Sequence, residues 1–251
     1  MREEINRDKI LLQLDDLLSR NDYESAKEHL LYWLSVCEGQ NEKRVALLIN
    51  NELMGLFRKL GDRENALKYA HGALDIIENL GIGENVGAAT TYLNCATVYK
   101  AFSMAERSLP LFEKALKIYE QNLPQNDERF GGLYNNMALT LVDLEKFDRA
   151  NELFEKAISV MEKIRGKEGE VAITYLNMAT AVEKKVGLEE GEKEICALIE
   201  KAWTLLDCCS DKESGNYAFV CEKCATVFGY YGYFAYQNEL KKRSDNIYER
   251  S

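Results

Sequence analysis

The chain repeats itself at long range, and that constrains its fold more than any local feature. The residues that mark the start of each second helical segment are Ala26, Ala66, Ser108, Ala150, Gly191 and Gln237, separated by 40, 42, 42, 41 and 46 residues. Such a period means stacked supersecondary units, each burying its apolar face against the next, rather than one closed core. The clearest unit runs from Tyr134 to Ala157. It reads Tyr134-Asn135-Asn136-Met137-Ala138, then Phe147-Asp148-Arg149-Ala150, then Phe154 and Ala157, with small and large apolar residues at helical spacing on two segments joined by a short polar turn. This predicts a helical hairpin. Ala138, Ala150 and Ala157 let two backbones approach, while Met137, Leu141, Phe147 and Phe154 fill the space around them.

Aligned to this unit, the chain divides into six hairpins, at about 5–40, 43–81, 84–123, 127–166, 168–209 and 214–251, read as a single domain over 1–251. With 46% apolar residues and only two prolines, helices throughout are expected. Gly61, Gly81 and Gly83 read as left-handed helix caps. Leu123-Pro124 reads as a stop, and Pro110 as a proline near the start of its helix, where a missing N–H costs little. Trp33 is expected to cover the open N-terminal end. Gly191, in place of the usual alanine, should weaken its helix by about 1 kcal/mol. The last helix carries one apolar stripe, Tyr233, Tyr236, Leu240 and Ile247, as a terminal helix needs.

These motifs resemble the tetratricopeptide (TPR) repeat. Its aromatic-x-x-apolar-small start falls on Tyr134, Met137 and Ala138, and its alanine-x3-aromatic-x2-alanine finish on Ala150, Phe154 and Ala157. The period exceeds the usual 34 residues, and repeats of this length, with Ser108-Leu109-Pro110-Leu111-Phe112, are similar to those of the kinesin light chain. The resemblance implies an all-α, right-handed superhelical solenoid of about six hairpins whose first helices line a concave groove. The alignment puts Asn51, Asn94, Asn135, Asn136 and Asn177 on that wall, with Lys223 at the matching place in the last hairpin. Thr97, Thr180 and Thr226 lie one turn further on. An asparagine offers a donor and an acceptor, enough to grip the N–H and C=O of one residue of an extended peptide. In the family, asparagines here hold bound peptides. The alternative is that they bond to turns or neighbouring helices, since mid-helix asparagine gains nothing without a partner.

The other expected groove charges nearly cancel: Arg58, Lys59, Lys100, Lys184 and Lys223 against Asp8, Asp15, Glu52, Asp143, Glu183 and Glu222. Relatives that clamp a C-terminal carboxylate use a lysine-asparagine set in their first two repeats. Leu11 and Asp15 stand there instead, which argues against such a clamp.

A net charge of −10 disfavours nucleic acid and anionic membrane surfaces as partners. The N-terminal stretch Met1 to Asp8 lacks the apolar core of a signal peptide and no long apolar run follows, so a soluble cytoplasmic protein is expected. Cys208-Cys209 with Cys221-x-x-Cys224 fits zinc spacing loosely, yet Cys224 aligns with the core positions of Cys95 and Met137, so no metal is expected. Gly81-Ile82-Gly83 lacks the strand and the Gly-Lys-Ser/Thr of a phosphate loop. No nucleophile, acid-base pair or cofactor cradle emerges, and His29 and His71 have no partner at ligand spacing. These observations point to a non-enzymatic scaffold binding an extended protein or peptide segment. The dense run Phe228, Tyr230, Tyr231, Tyr233, Phe234 and Tyr236 reads equally as an aromatic cap or as an interface, which leaves a homodimeric assembly module as the alternative. A peptide-sensing regulator would share the repeats, but residues 1–42 are already used by the first hairpin.

Overall fold

The structure is a computed structural model and describes residues 4–250. Among these residues there are twelve α-helices and no strand. They fall into two compact units, the first ending at Leu123 and the second beginning at Pro124. The first unit contains α1 (Arg7–Ser19), α2 (Tyr23–Gln40), α3 (Lys43–Lys59), α4 (Arg63–Leu80), α5 (Val86–Ala101) and α6 (Ala105–Asn122). The second contains α7 (Arg129–Asp143), α8 (Phe147–Met161), α9 (Glu168–Val186), α10 (Leu188–Asp207), α11 (Gly215–Tyr230) and α12 (Phe234–Tyr248). Within each unit the helices pair as consecutive hairpins, and the first helices also touch one another: α3 meets α5, and α9 meets both α7 and α11.

One turn geometry recurs inside the hairpins. The chain reverses at a left-handed residue in all six, Asn21, Gly61, Ser103, Glu145, Gly187 and Gly232. In five of them the next backbone N–H reaches back to a carbonyl five residues earlier: Asp22 to Leu17, Asp62 to Phe57, Met104 to Tyr99, Lys146 to Leu141 and Tyr233 to Phe228, at 2.8 to 3.0 Å. This closure satisfies carbonyls that the helix end leaves open and sets the second helix antiparallel to the first. The fifth hairpin is tighter, since only Gly187 separates α9 from α10. Of the glycines expected as caps, Gly61 and Gly81 are left-handed, at φ +73° and +63°. Gly83 is not; it faces the Tyr92 hydroxyl, where a Cβ would sit 3.0 Å away.

Close approach of paired helices explains the marker residues. Ala26, Ala66, Ser108 and Ala150 are fully buried, and Ser108 Oγ donates to the Ala96 carbonyl at 2.8 Å. Gly191 serves packing: a Cβ there would lie 2.9 Å from Val182 Cγ1 and 3.1 Å from Ile195 Cδ1. The loss of helix propensity expected from the sequence is therefore the cost of letting α10 settle onto α9. Gln237, the one large marker, is matched by Gly229 on the facing helix, where a Cβ would fall 2.3 Å from Gln237 Nε2. Phe112 and Phe154 fill the joints beside these contacts, almost fully buried. Truncating either to alanine should cost about 3–5 kcal/mol.

Two further expectations are corrected, and a third is divided. Pro110 lies inside α6, past its first turn. It is tolerated because it sits on the exposed face, where water can satisfy the carbonyl left without its N–H partner. Trp33 packs half-buried on the first core and edge-on to Tyr32, but Leu12 and Tyr32 stay 72% and 51% exposed, so it does not seal that end. The aromatic run divides. Phe228, Tyr233 and Tyr236 gather around Trp203, which stacks on Tyr236 at 4.0 Å, while Tyr230 and Phe234 remain 66% and 63% exposed.

The turns predict unequal responses to glycine. Ser103→Gly and Glu145→Gly each remove a left-handed non-glycine residue from an exposed turn, and each should raise stability by about 1 kcal/mol. Gly191→Ala should lower it despite the better helix former. Urea unfolding midpoints check all three.

Candidate functional site

The expected groove residues lie on the first helices of both units, each described on its own terms. In the first unit Asn51, on α3, is held on three sides. Its Nδ2 donates to the Leu47 carbonyl at 2.9 Å and to Thr91 Oγ1 at 3.1 Å, and its Oδ1 accepts from Asn94 Nδ2, on α5, at 2.9 Å. Thr91 in turn donates to the Gly87 carbonyl. Thr97 donates to the Leu93 carbonyl of its own helix at 2.9 Å. Arg58, near the end of α3, has its pKa lowered by loss of hydration, and Lys100 closes α5 half-buried.

The second unit repeats the arrangement. Asn177 Nδ2, on α9, donates to Asn135 Oδ1, on α7, at 3.0 Å, and Asn135 is buried. Asn136 donates to the Gly132 carbonyl at 2.9 Å and Thr180 to the Leu176 carbonyl at 3.2 Å. Further along, Lys184 pairs with Asp143 across α9 and α7 at 2.8 Å. Glu183 accepts from Tyr230 and from Tyr231, the latter at 2.7 Å. Burial, and then that bond, raise the Tyr231 pKa above its ordinary value. Lys223 stands exposed on α11.

The structure thus brings together Asn51 with Asn94, and Asn135 with Asn177, as side-chain rungs between successive first helices. Asn51, Asn94, Asn135 and Asn177 do bond to neighbouring helices, as the alternative reading held, while Asn136 bonds within its own helix. They are not all exhausted by it. Asn51 uses both amide protons, but Asn94, Asn136 and Asn177 each use one. Among the described residues nothing engages the amide oxygens of these three. All three are half-exposed, so each retains one donor and one acceptor for a ligand.

Sequence reasoning missed several participants. Thr91 is buried as the second partner of Asn51, and its signal was a threonine three residues before Asn94, on the same helix face. Asn50 is also buried, donating to the Ala46 carbonyl at 2.7 Å, and a Cβ on Gly72 would lie 2.9 Å from its Oδ1. A cavity of about 480 Å3 beside Asn51 and Asn94 is lined by Leu47, Leu48, Ile82 and Ala88, and also by Arg7 and Arg44. Neither arginine stood out in the sequence.

Among the described residues no three His, Cys, Asp or Glu side chains are grouped to hold a metal ion. Cys95 is buried against Met54 Sδ and the Ala70 carbonyl, and burial pushes its thiol up to about 12. Burial raises Cys224 as well and takes Cys209 up to about 11, so these remain thiols near neutral pH. Among the described residues no helix is long and apolar enough to cross a membrane.

Models of the tetratricopeptide repeat match residues 45–121 and 132–169. The chain is 25% identical over 182 residues to Protein KINESIN LIGHT CHAIN-RELATED 2 of Arabidopsis thaliana, covering 72% of this chain and 26% of that protein. It is 27% identical over 115 residues to a Clustered mitochondria protein homolog of Debaryomyces hansenii, covering 46% of this chain and 9% of that protein. The chain therefore spans about a quarter of the plant relative and a far smaller part of the yeast one. Among solved structures, nearly identical TPR-like repeats from Podosopora anserina superpose with a TM-score of 0.55 at 15% identity, over 80% of this chain and 94% of theirs. BtubC (BKLC) from P. vanneervenii superposes with 0.50 at 16% identity, over 97% and 91%. At these identities the likeness is one of fold.

The cysteine environments predict the order of thiol reactivity. With Ellman's reagent at pH 8 the exposed Cys208 should react first in the native protein, and Cys208→Ser should remove that phase. Cys95 and Cys224 should react only when urea unfolds the chain.

Proposed function

We propose that this chain, in which models of the tetratricopeptide repeat match residues 45–121 and 132–169, is a non-enzymatic protein-interaction scaffold whose first helices hold an extended segment of a partner protein. One observation carries the reading. Asn94, Asn136 and Asn177 keep one amide N–H and one amide oxygen uncommitted on half-exposed faces, the complement of a backbone peptide group. Such contacts hold a main chain whatever its side chains, which suits an adaptor. The rungs to Asn51 and Asn135 keep two of these carboxamides in place before a ligand arrives, and preorganisation lowers the entropy lost on binding.

Asn94→Ala, Asn136→Ala and Asn177→Ala together should weaken peptide binding by about 3 kcal/mol, more than a hundredfold if the effects add. Losing two rungs should also lower stability by about 1 kcal/mol each, with the helices retained. The check is a peptide array probed with the whole chain and with the triple variant, alongside circular dichroism. If the folded variant keeps its peptides, the asparagines only brace the stack and this reading fails.

A second reading, self-association through the C-terminal aromatics, draws on the exposure of Tyr230 and Phe234. Sedimentation equilibrium should then show a dimer that Phe234→Ser dissociates while peptide binding is spared. A monomer at high micromolar concentration rules it out.

A further inference from the structure

Beside Asn51 and Asn94 the charges of the first unit are sorted by position. Arg7 opens α1 and Arg44 lies in the first turn of α3, and both line the cavity of about 480 Å3. On a chain with 42 acidic residues against 32 basic ones, neither guanidinium makes an ion pair or hydrogen bond with any described residue. Open backbone N–H groups at two helix starts lie beside them. α3 begins at Glu42 without a side-chain cap. At the start of α5, Asn85 caps the Ala88 N–H, which leaves the N–H groups of Val86 and Gly87 without intrahelical partners, and Gly87 lines the same cavity.

The other end of the cavity is acidic. Glu52 lines it too, eight residues beyond Arg44 on α3, about 12 Å at the helical rise per residue. Burial first, and the Asp15 charge second, hold Glu52 above its ordinary pKa, and no described cation is paired with either carboxylate. Asp8 and Lys9 on α1, Glu42 and Lys43 at the start of α3, and Arg58 near its end do not line the cavity. Asn51, Asn94, Leu47, Leu48 and Ala88 line the same cavity.

Building on the groove reading above, we propose that this cavity selects an extended segment with an anionic side chain against Arg7 and Arg44 and a cationic side chain against Glu52, about three or four residues away. The two arginines, without an ion pair among the described residues, supply a doubly cationic fork, and the orphan N–H groups of α5 favour the same sign. The half-buried Glu52 gains a counter-ion that the free protein does not provide. Asn94, held in place by Asn51, then needs only to grip the main chain between the two charges.

The test uses fluorescein-labelled decapeptides of alanine and serine carrying one Asp and one Lys, spaced one to six residues apart in both orders, with anisotropy read on the full chain at low salt. The tightest binding should fall at a spacing of three or four, in one of the two orders. Asp→Asn or Lys→Gln in that peptide should each weaken it about tenfold. A phosphoserine in place of Asp tells whether the anionic end prefers a phosphate or a carboxylate, and preference for either over Asn supports the proposal. Arg7→Gln with Arg44→Gln should abolish discrimination between Asp and Asn while sparing that between Lys and Gln. Glu52→Gln should do the reverse. Peptides that bind equally well at every charge and spacing, or arginine variants that keep the preference for Asp, overturn the proposal and leave the groove reading standing. Failure of the chain to bind any peptide, these or those of the array, overturns both.

Discussion

Everything in this protein depends on two helix backbones coming close together at one small residue in each hairpin. Ala26, Ala66, Ser108 and Ala150 are fully buried, and Gly191 leaves no room even for a methyl against Val182. Dispersion forces fall off within a fraction of an ångström, so a close joint also fixes where every neighbouring side chain packs. Phe112, Phe154 and Phe228 then occupy the spaces that the small residues open. The left-handed turns serve the same joint: they bring the chain back within a few residues, so that the small residue faces its partner helix.

Polar groups do different work along the first helices. A mid-helix asparagine is a poor choice for an isolated helix, because its carboxamide competes with the backbone. Here the cost is offset by rungs such as Asn94 to Asn51 and Asn177 to Asn135, which tie one hairpin to the next in a defined register. A rung uses one amide proton of its donor and leaves a donor and an acceptor at the surface. Bracing and binding are thus compatible roles of the same carboxamide, and the choice between them posed by the sequence was too sharp.

The C-terminal aromatics follow a similar logic. Their density looked excessive for one hairpin, but Trp203 on the preceding helix explains half of it by stacking on Tyr236 and meeting Phe228 edge-on. Tyr231 is drawn to Glu183 instead, which leaves only Tyr230 and Phe234 substantially exposed in this run. An aromatic cluster in a repeat protein is therefore best judged with the helix before it, since neighbours in space come from adjacent units.

The sequence by itself determined the all-helical class and the pairing of helices into hairpins, because these follow from spacings that each segment carries locally: small and large residues at 3.6-residue intervals, and glycine or asparagine at most of the turns. Burial of Cys95 and Cys224 was legible for the same reason, through their place in the repeat. Only the tertiary structure decided which partner each polar group takes. That Asn51 lies against Thr91 and Asn94, that Gly191 makes room for Val182, and that Arg7 and Arg44 share a cavity with Glu52 depend on helices dozens of residues apart in the chain. Periodicity fixes the face on which a side chain lies. Which atoms meet across that face depends on the rotation and offset of the packed helices, and these are set jointly by every contact in the joint.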